Sequence, residues 1–172
     1  MPTVTFKLLY CFFVIEHGRR RILHYNVTGH PTAAWVVQQL REAFPEAAPH
    51  QYVIFDHDSI FSDEVVALLK ATGLTPKRTG VRAPWQNGVA ERWVGGCRRE
   101  MLDHVIPLNE QHLRRLVGDY VSYFHDDRIH DSLAKDTPHH RPIEKRQSPE
   151  ATVIASPRLG GLHHRYFWRK AA

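Results

Sequence analysis

The first part of the chain alternates between strand-like and helix-like hydrophobic patterns. Two stretches rich in aromatic and β-branched residues, Thr5–Ile15 and Ile22–Thr28, flank the segment Glu16-His17-Gly18. This arrangement predicts a β-hairpin whose turn uses the glycine at positive φ. Apolar residues at helical spacing then follow Pro31 and predict a helix over Thr32–Phe44.

The remainder of the pattern indicates helices arranged around a short central strand. The apolar run Tyr52–Phe55 predicts a buried strand that ends directly before Asp56. Beyond Pro138 no regular period persists, although Val153-Ile154 suggests a short strand and Gly160-Gly161 a turn. Three more helices and an edge strand are predicted, the helices over Ser62–Thr72, about Val89–Val105 and Glu110–Phe124, and the strand over Leu74–Thr79. Strands followed by helices in this order predict an α/β layer fold.

Composition and charge narrow the class of protein. The chain has 172 residues, of which 42% are hydrophobic, which is enough to bury the core of one domain. The two cysteines, Cys11 and Cys97, exclude a disulfide framework and a four-cysteine zinc site, so a soluble protein of a reducing compartment is expected. The longest apolar run, Leu8–Ile15, is too short to span a bilayer.

The net charge of +5 resides in the last 35 residues. Residues 138–172 contain seven basic and two acidic side chains, whereas residues 1–137 are balanced. A neutral body with a basic extension favours a polyanionic partner such as nucleic acid. A solvated tail that aids solubility is the alternative.

Asp56 and Glu91 are the candidate catalytic and metal-binding residues. Asp56 ends an apolar strand, and Glu91 lies in the first turn of a predicted helix, where the helix dipole favours a negative charge. Two carboxylates brought together repel each other, and a hard divalent cation such as Mg²⁺ relieves that repulsion. In the ordinary alternative, Asp56 caps the turn at Asp58-Ser59 and Glu91 only suits a helix start.

Three sequence blocks resemble the retroviral-integrase-like DDE catalytic core of insertion-sequence transposases. In that family a strand-end Asp precedes, by about 35 positions, a Glu in the context P-x-Q-N-G-x-x-E-R. Here Asp56 and Glu91 are 35 positions apart, and Pro84–Arg92 reads PWQNGVAER. The segment Phe124–Leu133, followed by Thr137-Pro138, is similar to the family's Y-N-x-x-R-x-H-x-x-L…T-P block, with Phe for Tyr and His for Asn.

The resemblance implies an RNase-H-like fold, with a mixed sheet flanked by helices, and a DNA strand transferase. Such cores use three carboxylates and two metal ions, Mg²⁺ or Mn²⁺, for in-line phosphoryl transfer. Asp56 matches the second acid and Glu91 the third, with Asp58 as a rival ligand. The expected partners are DNA, both element ends and target, and a second copy in a homo-oligomer. The expected location is the bacterial cytoplasm, at the nucleoid and without membrane association.

Residues near the predicted site are candidates for binding DNA. By resemblance, Gln86 and Asn87 would touch DNA beside the reacting end, although Asn87 could serve only to start the helix. Arg92, Arg98 and Arg99 follow Glu91 on the same predicted helix, and Arg98 shares the Glu91 face. They are expected to contact phosphates, with solvated helix arginines as the alternative.

One feature of the family is missing from this sequence. The first catalytic Asp belongs on a first strand, and no Asp precedes Asp56. Residues 1–137 are therefore expected to form a core without its first strand, and residues 138–172 a basic extension. A decayed gene and a start assigned too late are the two explanations. Either explanation predicts that the chain alone does not catalyse strand transfer. Two rival interpretations stay open: a non-catalytic DNA-binding or oligomerising relic, and an RNase-H-like nuclease with another substrate.

Overall fold

The computed structural model describes residues 1–45 and 49–170 as a mixed α/β fold. No helix within these ranges is both long enough and apolar enough to cross a bilayer. In chain order the strands and helices are β1 (Tyr10–Ile15), β2 (Ile22–Thr28), α1 (Ala33–Ala43), β3 (Tyr52–Phe55), α2 (Asp63–Ala71), β4 (Thr75–Arg78), α3 (Gly88–Glu100), α4 (Glu110–Asp126), β5 (Thr152–Arg158) and β6 (His163–Arg169).

The strands form three separate two-stranded sheets within the described residues. Strands β1 and β2 make the predicted antiparallel hairpin, with Tyr10 opposite Thr28. Strands β3 and β4 are parallel, with Tyr52 opposite Thr75, and α2 provides the crossover that parallel strands require. The expected mixture of strand directions is present, but β1 and β3 are not paired with each other.

The β1–β2 hairpin lies between two hydrophobic cores and contributes one face to each. Cys11 and Phe13 pack against a core built mainly from α3 and α4. Phe12 and Val14 pack against a core built mainly from α1, α2 and β3. This division follows from the strand geometry, because successive side chains of a strand point to opposite faces. The two cores therefore bring the end of β3 and the start of α3 onto one scaffold.

Two details of the predicted hairpin are wrong. Strand β1 begins at Tyr10, because the Thr3 side chain accepts the backbone N–H groups of Thr5 at 3.3 Å and Lys7 at 3.1 Å and curls the preceding segment into a loop. The left-handed residue of the turn is Arg20, with φ of 64°, and not the glycine. The Arg20 guanidinium donates a hydrogen bond back to the carbonyl oxygen of His17, which holds this turn.

The helix predicted over Val89–Val105 is shorter than expected. Helix α3 ends at Glu100, and Met101 leaves the helical region with φ of −145°. The Met101 side chain is almost completely buried in the core of α3 and α4. Burial of this side chain thus accompanies the end of the helix five residues before the predicted boundary.

The basic extension contains a hairpin that hydrophobic periodicity did not predict in full. Strands β5 and β6 pair antiparallel over seven residues each. The side chain of Asp127, only 1% exposed, follows the end of α4 and pairs with two guanidinium groups of this hairpin, those of Arg158 at 2.8 Å and Arg165 at 3.5 Å, and with that of Arg141 at 3.7 Å. Part of the positive charge of the extension is therefore used inside the fold and not presented to a polyanion.

A buried histidine links the hairpin to α4 and makes stability depend on pH. The His125 ring is 7% exposed, and its Nε2 accepts the backbone N–H of Ile22 at 2.8 Å. Burial, together with the neighbouring His139, lowers the pKa of His125 from 6.5 to about 4. Protonation in the folded state would remove the acceptor that Ile22 requires.

We expect the free energy of unfolding to fall as pH drops from 6.5 towards 4, because between these values the unfolded chain binds the proton at His125 and the folded chain does not. This group alone should cost about 2 kcal/mol between pH 7 and pH 5. Urea unfolding of the wild type and of His125→Asn at both pH values measures it. His125→Asn should lose less stability between the two pH values than the wild type. The control His164→Asn, at an exposed histidine, should lose as much as the wild type. Equal losses in all three proteins would refute the assignment of the pH dependence to His125.

Candidate metal and nucleic-acid site

A cleft of about 780 Å³ runs between β1 and β3 and contains both predicted catalytic carboxylates. All residues of β1 and of β3 line it, together with parts of α1, α2 and the first turns of α3. Asp56 and Asp58 enter the lining from the end of β3, and Asn87 and Glu91 from the start of α3. Two sequence segments 35 positions apart therefore meet at one cavity.

Asp56 reaches the cleft because β3 ends directly before it. The preceding residue, Phe55, is buried against α1 and α2, whereas Asp56 itself is exposed. One oxygen of Asp56 accepts the backbone N–H of Asp58 at 3.0 Å, and Asp58 in turn accepts the N–H of Ile60 at 3.1 Å. The turn-capping contact of the ordinary interpretation is thus present. A carboxylate has two oxygens, so this single bond leaves Asp56 able to bind a cation.

The position of Glu91 is set by the packing of Trp93 two residues later. The Trp93 ring is buried with its centroid 4.2 Å from that of Phe13 and 6.2 Å from that of Tyr120. Residues two apart on a helix are separated by about 200°, so a buried Trp93 turns Glu91 to the exposed side. Glu91 is exposed and lines the cleft.

The loop before α3 is held by Gln86. Its side-chain oxygen accepts the backbone N–H of Gly80 at 2.6 Å, which closes the loop against the end of β4. Asn87 occupies the N-cap position of α3, but its side chain makes no capping hydrogen bond there and it lines the cleft. Between Gln86 and the buried Ala83, the Trp85 ring is 75% exposed.

The three arginines of α3 lie outside the lining of the cleft, on the exposed surface of the same helix. Arg98 is near Asp103, at 3.9 Å, a distance at which an exposed pair contributes little to stability. The guanidinium of Arg99 lies over Gly95, where a Cβ atom would meet it at 3.0 Å. Asp56, Glu91 and Asn87 therefore line one cleft, whereas Gln86, Arg92, Arg98 and Arg99 lie outside its lining.

The carboxylate oxygens of Asp56 and Glu91 suit one hard cation, but they supply only part of its ligands. Exposed carboxylate oxygens are the ligands that Mg²⁺ prefers, and Mg²⁺ commonly takes only one or two protein carboxylates and keeps several waters. Across residues 1–45 and 49–170, no group of three or more His, Cys, Asp or Glu side chains is arranged to hold a metal ion. Asp56 and Glu91 thus suit a site completed by water and phosphate, not a closed protein cage.

An ion pair holds the C-terminal end of α3. The sequence did not predict this pair. Arg128 donates to both oxygens of Glu100, at 2.7 to 3.1 Å, and Tyr120 donates to the same carboxylate at 3.1 Å. Burial disfavours the charge of Glu100, but the hydrogen bonds and charge of Arg128 outweigh burial and hold the pKa of Glu100 below its usual value. No periodicity joins positions 28 apart, so only the packing of α3 on α4 could reveal this pair.

Comparison with known proteins agrees with the fold and with the two sequence blocks that contain Glu91 and Arg128. The family model described as "Integrase core domain" matches residues 72–138. A chain of the simian T-cell lymphotropic virus intasome, solved by electron cryomicroscopy in complex with PP2A regulatory subunit B56 gamma, matches with a TM-score of 0.66 at 12% identity. The match covers 99% of this chain and 63% of the solved chain, so this chain spans less than two thirds of its structural relative. Comparison with curated proteins gave no match.

These findings confirm the resemblance and the fold class. The family match over residues 72–138 includes Glu91 and the Phe124–Leu133 block, and together with the structural match it supports the resemblance to an integrase/transposase catalytic core. Its mixed α/β architecture is RNase-H-like.

Proposed function

We propose that this chain acts in DNA integration or transposition as a metal-dependent polynucleotidyl transferase core. The observation that carries the proposal is the meeting of Asp56 and Glu91 in one cleft, at the spacing of the family motif. Integrase core domains generally use divalent metals, which agrees with the carboxylate donors of this cleft. The partners we propose are DNA, at element ends and target, and further copies of the chain. The bacterial cytoplasm, at the nucleoid, is the proposed location.

In this proposal Asp56 and Glu91 hold Mg²⁺ or Mn²⁺ from two sides of the cleft. The ion supplies Lewis acidity toward a phosphate and favours deprotonation of a bound water or hydroxyl. The protein contributes position: the β3 end fixes one ligand, and the Trp93 packing fixes the other. Asp58 remains the rival ligand, and its backbone N–H already orients Asp56.

The margin of the cleft supplies contacts for the DNA backbone. Arg92, Arg98 and Arg99 are exposed residues of α3, and Arg98 shares the helix face of Glu91. We assign these three arginines to phosphate contacts, which position a duplex without reading its sequence. Asn87, in the cleft, and Gln86, in the loop that leads to it, are proposed to lie beside the reacting end of the strand.

The proposed site has two of the three acids that the family uses. No Asp precedes Asp56, and the described residues hold no three-acid cluster. We therefore propose that residues 1–172 alone do not catalyse strand transfer. The same observation favours a second candidate function, a non-catalytic DNA-binding or oligomerising relic of a transposase core.

The effect of DNA on metal binding distinguishes the metal-dependent transferase core from the non-catalytic relic. If Asp56 and Glu91 hold a cation whose remaining positions accept phosphate, DNA should tighten Mn²⁺ binding at least fivefold, because the phosphate adds a ligand. Electron paramagnetic resonance titration of Mn²⁺, with and without a 20-base-pair duplex, measures the effect. Asp56→Asn and Glu91→Gln should each abolish the coupling, and Asp63→Asn, at an exposed acid of α2, should keep it.

Coupling that persists in Glu91→Gln would contradict the metal assignment, and DNA binding without any coupling would favour the relic. A strand-joining assay with Mg²⁺ adds the chemical readout. Joined product from the wild type that disappears in Glu91→Gln would contradict the proposed inactivity and show that a third acid is supplied from elsewhere.

The arginines of α3 should account for part of the salt dependence of DNA binding. Each phosphate contact adds about 0.9 to the slope of log K against log salt, because a counterion is released. We expect Arg98→Gln and Arg99→Gln each to reduce the slope by about 1 in fluorescence anisotropy with a labelled duplex. Arg114→Gln, on α4 beside β2, is the control and should leave the slope unchanged; equal slopes in all variants would remove α3 from the DNA interface.

A further inference from the structure

The hairpin of β5 and β6 exposes its apolar face. Side chains two apart on a strand share a face, so the register defines one face, here called the outer face, by three cross-strand pairs. These pairs are Val153 with Trp168, Ala155 with Tyr166 and Pro157 with His164. Five of the six residues are exposed and Trp168 is partly buried. An ordinary surface hairpin exposes polar side chains and buries apolar ones, so this arrangement is the reverse of the usual one.

The charged side chains of the hairpin lie on its other face, towards α4. Arg158 and Arg165 belong to this inner face, and both pair with the buried Asp127. The His163 ring, also on the inner face, hydrogen-bonds to the Tyr123 hydroxyl at 3.3 Å and stacks on the Tyr123 ring with centroids 4.5 Å apart. The hairpin is therefore attached to α4 largely through polar groups, and the outer face, which has no Asp, Glu, Lys or Arg, is left open to solvent.

Three aromatic rings form a row along β6 on the outer face, those of His164, Tyr166 and Trp168. Their attachment points are two residues apart, which is about 6.7 Å along a strand. The centroids of His164 and Tyr166 are 6.2 Å apart, and their planes are tilted by 40°. The two rings thus lie side by side and are not stacked on each other. Since β5 contributes only smaller side chains opposite the row, Tyr166 remains 59% exposed.

Positive charge borders the aromatic row. Lys145 and Arg146 precede the hairpin, Arg169 and Lys170 follow Trp168, and all four basic residues are exposed. The Arg146 guanidinium lies over the Trp168 ring, 5.5 Å from its centroid. Residues 138–172 contain only two acidic side chains. Exposed aromatic rings bordered by cations are the two components of surfaces that bind single-stranded nucleic acids.

A cavity of about 320 Å³ opens beside the row and is lined by Tyr166 and Trp168 together with Lys135 and Arg141. Three carboxylates also line this cavity, and each of them is already paired with a guanidinium. The pairs are Asp127 with Arg158, Asp136 with Arg19 and Glu144 with Arg141. The lining of the cavity therefore adds cationic donors at the end of the row, while its carboxylates are neutralised.

We propose that the outer face of the β5–β6 hairpin binds a single-stranded nucleic acid. Its bases stack on His164, Tyr166 and Trp168, and its phosphates contact the basic residues that flank the hairpin. Among the described residues that line the carboxylate cleft, none belongs to this hairpin. The binding site is therefore separate from the metal site proposed for Asp56 and Glu91 and does not depend on it.

The spacing of the rings selects an unpaired strand. Successive nucleotides of a B-DNA strand are about 3.4 Å apart, which is about half the distance between neighbouring rings on β6. Only an extended strand can place one base on each ring, and in a duplex the faces of the bases are already stacked on other bases. Every base has a π face, so binding without sequence preference is expected.

Side chains already occupy the backbone edge of β6, which disfavours an added protein strand. The carbonyl oxygen of Tyr166 accepts a hydrogen bond from the Arg141 guanidinium at 2.6 Å, and the backbone N–H of Trp168 donates to Glu144 at 3.4 Å. A polypeptide that paired with this edge would displace both contacts. A nucleic acid on the outer face leaves both in place.

The test measures the binding of fluorescent ten-base single strands to the full chain by anisotropy. EDTA is present, so the result does not depend on a metal ion. Oligothymidylate and oligouridylate provide phosphates and stackable bases, and the tighter of the two identifies DNA or RNA as the source of the strand. We expect saturable binding. An abasic strand of the same length keeps the charge but has nothing to stack, so it should bind at least tenfold more weakly.

Variants of single side chains locate the site. Tyr166→Ala removes one ring of the row and should weaken binding at least fivefold, whereas Tyr166→Phe keeps the ring and should bind within twofold of the wild type. Phe6→Ala, at an aromatic residue 89% exposed outside the hairpin, is the matched control and should change binding less than twofold. Circular dichroism checks that each variant folds.

Salt separates the phosphate contacts from stacking. Arg169→Gln should reduce the slope of log K against log salt by about 0.7, the value for one phosphate contact in a single strand. Tyr166→Ala should leave that slope unchanged, because stacking on a neutral ring releases no counterion.

Four outcomes would overturn the proposal. Equal binding of the abasic strand would show that charge alone holds the nucleic acid. An unchanged affinity in Tyr166→Ala, or an equal loss in Tyr166→Ala and Phe6→Ala, would place the strand elsewhere. Absence of saturable binding would refute the site, and a wild-type dimer that Tyr166→Ala dissociates would then identify the outer face as an interface between copies.

Discussion

The packing of Trp93 between Phe13 and Tyr120 is the contact on which the site depends. It joins the β1–β2 hairpin, α3 and α4 in one core and fixes the rotation of α3 about its axis. Because Glu91 lies two residues before Trp93, its direction follows from that rotation. A smaller residue at position 93 would let the helix turn and would move Glu91 without touching it.

The two ends of α3 are held by different interactions. At its start, Gln86 closes the preceding loop on Gly80. At its end, Glu100 pairs with Arg128 of the segment after α4. A half-buried, charge-assisted pair of this kind is a poor source of net stability but a good determinant of register, because the alternative leaves a charge unpaired. The structure thus uses polar contacts to position α3 and apolar contacts to stabilise it.

Hydrophobic periodicity predicted most elements, because their apolar faces are long and regular. The bounds of β2 and β3 agree with the prediction residue by residue, and α1 differs by one residue at each end. The errors arise where tertiary contacts or local polar contacts determine where an element begins or ends. The Thr3 hydroxyl curls the segment before β1, the burial of Met101 accompanies the early end of α3, and Asp127 holds a C-terminal hairpin whose contacts lie in distant sequence.

The candidate site was predicted from the sequence motifs, and only in part. The motif blocks indicated Asp56 and Glu91 and the cleft contains both, but their ligand role and the DNA contacts remain proposals. The sequence predicted a core without its first strand, whereas the cleft between β1 and β3 and the residues that line it are seen only in the structure.

The location of a bound ion tests the account most directly. Crystals of the wild-type chain soaked in Mn²⁺ should show an anomalous scattering peak within about 2.5 Å of carboxylate oxygens of both Asp56 and Glu91. The same soak of Glu91→Gln should lose that peak. A peak bound by Asp56 and Asp58 alone, or carboxylates of Asp56 and Glu91 too far apart to share an ion, would contradict the central claim.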